Sequence, residues 1–397
     1  MTGDRPSRRW HRGSGARDAD RPDHDVFAAV LAVMMVSLAL VVAAALAFQG
    51  AADARPAGAT TAAQAAAHNA GAMPRFFVDT ELLSEGPSPL QVRDSATGRL
   101  LAQDQHALGV TGVAALGGRS FVIAEPVAGQ CATRLYRIRL NRQGQPGRLT
   151  PLGLPELHGE LFSLAASANR QVIGYAISGC QKFSPGHIGV VRVRSGRARQ
   201  WGEVNPGGLS HGTVTLNGAL ALSANGRLLA FTGWDARPDG SFTRQVVLVL
   251  RTDARPGTVA QRSRVVRHGP VLGPDLAAAS LSPGGATLYI CTVNSGRTRH
   301  AVRLAAYRTA TGQLRKRLAS VTARGPAPVG SMCPMALDAS GGFLLVPYAI
   351  RGQPDAAGRA VVRIARIGIA SRAMAILTVT GPRTGGMDSL AGLRVAW

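Results

Sequence analysis

One arrangement of apolar and polar positions recurs along the chain from residue 113 onward. A short apolar run enters a polar turn, and a second apolar run leaves it. The clearest copy is Leu222-Ser223-Ala224-Asn225-Gly226-Arg227-Leu228-Leu229-Ala230-Phe231. Leu281-Ser282-Pro283-Gly284-Gly285-Ala286-Thr287-Leu288-Tyr289-Ile290 and Leu337-Asp338-Ala339-Ser340-Gly341-Gly342-Phe343-Leu344-Leu345-Val346 repeat it. Ala166 to Tyr175 fits without the glycine, and Val113 to Val122, carrying Gly117-Gly118, is a weaker copy. The copies start at 113, 166, 222, 281 and 337, spaced by 53, 56, 59 and 56 residues. Ser, Asp, Pro, Asn and Gly accept turn and left-handed backbone, so each copy predicts a β-hairpin. A second hairpin signal follows later in the unit, as in Val92 to Leu101 around Thr97-Gly98 and Ala306 to Leu314 around Thr311-Gly312. Similar stretches surround Ser195-Gly196 and Gly144. Two hairpins per period make four strands per unit, with helix signals nearly absent from this region.

Four-stranded units repeated at constant spacing predict an all-β propeller. The repeats resemble those of bacterial, actinobacterial-type membrane-anchored WD40-like propellers of the YVTN/TolB type, over about residues 76–397. The Trp-Asp and Gly-His signatures of eukaryotic WD40 repeats are missing. Trp234-Asp235 is expected in a loop. Five full units and a split one give six blades, or seven if a further weak unit exists. Phe76-Phe77-Val78 with Val92 to Ala102 supplies part of the first blade, and Met387 to Trp397 a final half-unit. Joining the two would close the ring and remove exposed edges.

Residues Val26 to Phe48 carry no charge and one polar side chain, Ser37. A helix of that length reaches about 34 Å, enough for a hydrocarbon core of about 30 Å. Arg5, Arg8, Arg9, Arg12, Arg17 and Arg21 precede it, and only Arg55 and Arg75 follow closely. That asymmetry predicts a cytoplasmic N-terminus (1–25, disordered), a transmembrane signal anchor (26–48), an Ala/Gly-rich flexible linker (49–75) and an extracytoplasmic propeller (76–397). A cleaved signal peptide, ending near Ala45-Leu46-Ala47 or Ala52-Asp53-Ala54, is the alternative and would leave the chain secreted.

Charge changes the picture less than its size suggests. The chain holds 45 Lys plus Arg against 22 Asp plus Glu, a formal net charge of +23. Lys182 and Lys316 are its only lysines, and the arginines recur in ones and twos along the whole chain. A nucleic-acid face would concentrate basic residues and interleave aromatics, and aromatics are 5% here. The predicted compartment also separates the charge from intracellular nucleic acid, so no nucleic-acid partner is expected. The charge would attract polyanions instead, in a salt-dependent way.

On the predicted frame Cys131 and Cys180 follow the second strand of adjacent units. Cys291 ends that strand in the fifth unit, and Cys333 precedes the first strand of the sixth. These positions share one face, so Cys131–Cys180 and Cys291–Cys333 are candidate disulfides between neighbouring blades, with buried free thiols the alternative. No Cys pair has zinc-ligand spacing, so no metal is expected.

Catalytic motifs are scarce. Gly208-Leu209-Ser210-His211-Gly212 matches G-x-S-x-G, but no helix signal follows it to build a nucleophile elbow. His158-Gly159-Glu160 would put His158 and Glu160 on one strand face. From residue 76 onward there are sixteen carboxylates, few for paired acid–base work or calcium cages. No phosphate loop or dinucleotide fingerprint occurs, so no cofactor is expected. The expected role is a non-enzymatic binding scaffold at the cell envelope, monomeric, its partner an envelope protein or an anionic wall polymer. The alternative is a propeller-fold hydrolase or lactonase-like enzyme with Glu160, His211, Asp235 and Asp275 converging on the central channel.

Overall fold

The computed structural model describes residues 73–81, 89–104, 109–181, 186–206, 214–216, 219–236, 242–269, 275–295, 299–324, 333–351, 361–380 and 393–397. Val26 to Phe48 and the flanking segments lie outside them. The strands form six antiparallel blades of a β-propeller, within one compact unit spanning Ala66–Trp397. Innermost strand first, blade 1 is Leu393–Ala396, Phe76–Glu81, Leu90–Asp94 and Leu100–Asp104. Blade 2 is Gly112–Ala115, Ser120–Pro126, Ala132–Arg139 and Thr150–Pro151, with Leu157–His158 also paired to its third strand. Blade 3 is Glu160–Ala166, Val172–Ser178, Gly186–Arg192 and Ala198–Pro206. Blade 4 is Ala221–Leu222, Leu228–Ala236, Phe242–Arg251 and Ser263–His268. Blade 5 is Asp275–Leu281, Thr287–Ser295, Arg299–Arg308 and Leu314–Arg324, and blade 6 is Ala336–Leu337, Phe343–Arg351, Val361–Gly368 and Met374–Thr380. Val214–Leu216 pairs with both blade 3 and blade 4 and links their sheets.

Each inner sheet face is covered by a neighbour, and burial follows from that. Second strands such as Ser120–Pro126 and Val172–Ser178 are buried almost throughout, whereas outer strands such as Met374–Thr380 alternate exposed and buried positions. Six apolar clusters fill the six seams between consecutive blades, the last joining blade 6 to blade 1. Phe77, Phe121, Phe231, Tyr175 and Trp201 are fully buried, each contributing about 1.5–3 kcal/mol or more through removal from water.

The repeated turn owes its residues to hydrogen bonding. In the turns of blades 3 to 6, Ser167, Ser223, Ser282 and Asp338 accept through their side chains from the amides of Val172, Leu228, Thr287 and Phe343. The glycines Gly226, Gly285 and Gly341 take φ of 69°, 73° and 73°. Blade 3 lacks the glycine because Arg170 holds φ 62° there. Its guanidinium donates to the carbonyls of Leu116 and Gly117 in the preceding blade, offsetting the strain.

The chain ends close the ring as expected. Val78 pairs with Ala396 and Glu81 with Leu393. Trp397 is buried and its Nε1 donates to Ser95 Oγ at 3.0 Å. Beside it the buried Arg93 pairs with Asp79 at 2.9 Å and donates to the Thr380 carbonyl of blade 6 at 2.8 Å.

Candidate functional site

The ends of the strands opposite the repeated turns carry the residues singled out for chemistry. Glu160 and Asp275 are the first residues of the innermost strands of blades 3 and 5, and Asp235 lies one residue from the end of the second strand of blade 4. All three therefore sit in strands rather than in connecting loops, because the ladders extend to these residues. Trp234 likewise lies within Leu228–Ala236. His211 and the whole of Gly208 to Gly212 fall outside the described residues.

Glu160 is exposed. His158 and Glu160 do not share a strand face. Gly159, at φ 130°, breaks the backbone between them, leaving His158 paired to blade 2 and Glu160 to blade 3. Asp275 is tied to a seam: it accepts from Gln245 Nε2 of blade 4 at 3.1 Å. Burial pushes its carboxyl above the ordinary value, and the Gln245 bond opposes that. Among the described residues no three of His, Cys, Asp and Glu gather as a metal-binding group.

The axis of the ring near the repeated turns holds a cavity of about 120 Å³. Each blade contributes small or aliphatic side chains to it, among them Ala396, Ala114, Leu164, Leu222, Leu281 and Leu337. The carboxylate in that lining, Asp338, is engaged in its own turn, accepting from Phe343 N at 2.7 Å and Ser340 N at 3.0 Å. This end of the axis is a small cavity lined by small and aliphatic side chains together with Ser280 and Asp338.

Both candidate disulfides are present. Cys131–Cys180 joins blades 2 and 3 with Cα atoms 5.6 Å apart, and Cys291–Cys333 joins blades 5 and 6 at 6.4 Å. Cys291 lies inside Thr287–Ser295 rather than at its end, opposite Leu304, because that strand continues to Ser295. Cys291 and Cys333 are buried, whereas Cys180 is exposed.

No family model matches the chain, and no curated protein matches it in sequence. Among solved structures it is similar to TolB from Acinetobacter baumannii, at 10% identity over 84% of this chain and 70% of that one, with a TM-score of 0.49. It is also similar to the periplasmic gluconolactonase of Pseudomonas aeruginosa, at 14% identity over 81% of this chain and 99% of that one, TM-score 0.43. A third is the Kuenenia stuttgartiensis hydrazine synthase, at 11% identity over 73% and 89%, TM-score 0.36. The propeller assignment rests on the strand pairing itself.

Three polar groups on the same sheets escaped sequence reasoning. Glu125, near the end of the second strand of blade 2, faces Asp104 across the blade 1–2 seam. Burial first and the Asp104 charge second push its carboxyl up, and among the described residues no donor reaches its Oε1. His187 packs edge-on against Tyr175, ring centroids 5.9 Å apart, and burial pushes its imidazole pKa down. His300 is buried between blades 5 and 6, its Nε2 3.0 Å from the Tyr348 carbonyl. A visible signal existed for Glu125 and Asp104: adjacent units each carry an acid at or next to the end of a strand, Asp104 in Leu100–Asp104 and Glu125 in Ser120–Pro126.

Proposed function

We propose that this chain is a membrane-tethered, extracytoplasmic propeller that acts as a non-enzymatic binding scaffold at the cell envelope. The observation that carries the reading is the pair of disulfides joining neighbouring blades. Such bonds persist in oxidising compartments and brace a face against local opening. The charge-free run Val26 to Phe48 supports the tether, and an axial cavity of about 120 Å³ whose Asp338 is engaged in its own turn supports a structural rather than a reactive centre. The partner is an envelope protein or an anionic wall polymer, attracted by the propeller's net charge of +21 from residue 76 onward.

The test compares the full-length chain with a Glu160→Gln, His211→Ala, Asp275→Asn variant in two assays. Cross-linking in intact cells is expected to trap a defined adduct for the wild type and to lose it in the variant. Incubation with simple lactones is expected to give hydrolysis at the buffer rate for both. Saturable lactone hydrolysis by the wild type, abolished in the variant, would establish the enzymatic alternative.

A further inference from the structure

The outer wall of the ring opens between blades 4 and 5. Blade 4 ends in the six-residue strand Ser263–His268, whereas blade 5 ends in the eleven-residue strand Leu314–Arg324. The longer strand leaves part of its blade uncovered, and a cleft of about 820 Å³ results. Its floor is apolar, formed by the buried Leu276 and Tyr307 with Ala305 beside them and Leu314 exposed at the rim.

Three guanidiniums line this apolar floor: Arg267 of blade 4, and Arg303 and Arg317 of blade 5. Register explains why they share it. Arg303, Ala305 and Tyr307 alternate onto one side of their strand, and Arg317 and Leu314 stand opposite Ala305 and Tyr307. Arg267 lies over the Tyr307 ring, its Cζ 4.6 Å from the centroid. No carboxylate among the described residues lines the cleft. Among the described residues, neither Arg303 nor Arg317 has an acidic partner. Like charges gathered without a counter-charge repel one another, and an anion seated among them relieves that repulsion.

We propose that this cleft binds a small amphipathic anion, a carboxylate held by Arg303 and Arg317 with an apolar body against the leucines and Tyr307. Guanidinium forks match a carboxylate in two parallel hydrogen bonds, and the volume suits a ligand of drug-like size. The site is on the outer wall and independent of the loop-face proposal.

4-Phenylbutyrate is the probe, its binding to the full-length chain measured by calorimetry in one non-ionic detergent throughout. Arg303 and Arg317 are exposed, so Arg303→Gln/Arg317→Gln leaves the fold intact, and Arg194→Gln at an exposed position on blade 3 controls for general positive charge. The wild type is expected to bind saturably. The double variant should bind at least about tenfold more weakly, since a charge-assisted hydrogen bond contributes that much or more. Leu314→Ser should weaken binding too, and neither 4-phenylbutanol nor acetate should match the probe. Absence of saturable binding by the wild type, equal affinity in the double variant, or an equal loss in Arg194→Gln would overturn the site.

Discussion

Glu125 shows how a single side chain in a seam acts on the whole fold. Its carboxyl is pushed up by burial and by the facing Asp104, so the folded state resists ionising it while the unfolded chain ionises freely. The folded form then holds its proton more firmly, and stability falls as pH rises above the ordinary value of 4.5 toward the raised one. Glu125→Gln removes that penalty. The variant is expected to melt at a higher temperature than the wild type at neutral pH, with the gain shrinking as pH falls to 4.5 and below. Thermal unfolding followed across that range checks it, and an equal or lower melting temperature at neutral pH would contradict it. Arg93 is the opposite case: its charge is matched by Asp79 inside the blade 1–6 seam, where removing either partner alone would strand the other.

At the scale of the element, the turn between the first two strands of blades 3 to 6 is a small hydrogen-bonded frame, and in blades 4 to 6 its glycine has a defined place. Gly284 and Gly285 separate the two possible reasons for a glycine there. Gly285 sits at φ 73°, and a Cβ on it would stand 2.8 Å from Leu228 Cδ1, whereas a Cβ on Gly284 meets nothing within 4 Å. Gly285→Ala is expected to cost about 1–2 kcal/mol. Gly284→Ala should stay within about 0.5 kcal/mol of the wild type. Denaturant midpoints of the two variants decide it, and equal losses would show that the frame does not require left-handed backbone. This chemistry made the frame legible in sequence: Ser or Asp at its start and Gly near its end recur because each fills one hydrogen-bonding or conformational role. Two outer turns were not legible for the same reason. In blade 6 Arg372, at φ 61°, stands where other blades use glycine. In blade 4 the third strand is followed by a short helix, Val259–Arg262, capped by Thr258. The split of His158 and Glu160 between two blades was hidden because alternation along a sequence cannot reveal a break at one glycine.

At the scale of the molecule, six seams close on themselves, and the first and last described strands meet inside blade 1. Blade number, ring closure and the disulfide partners were readable because each depends on spacing along the chain. The candidate site was readable only to the level of a face. Glu160, Asp235 and Asp275 belong to one end of the sheets, but which side chains meet there depends on contacts between units, and single-chain periodicity carries no record of those. The outer cleft depends on unequal strand lengths in neighbouring blades, which the repeat pattern smooths over. The scattered arginines that make the chain strongly basic gain a specific meaning where three of them line that cleft with no acid among its described residues.

The central claim is an extracytoplasmic propeller braced across its seams, and thiol accounting in the native membrane tests it directly. Cells producing the full-length chain are quenched with an alkylating reagent under denaturing conditions, and the chain is weighed before and after reduction. The account predicts no labelled cysteine before reduction and four afterward, with Cys131–Cys180 and Cys291–Cys333 recovered as linked peptides. Four cysteines labelled without reduction would contradict it.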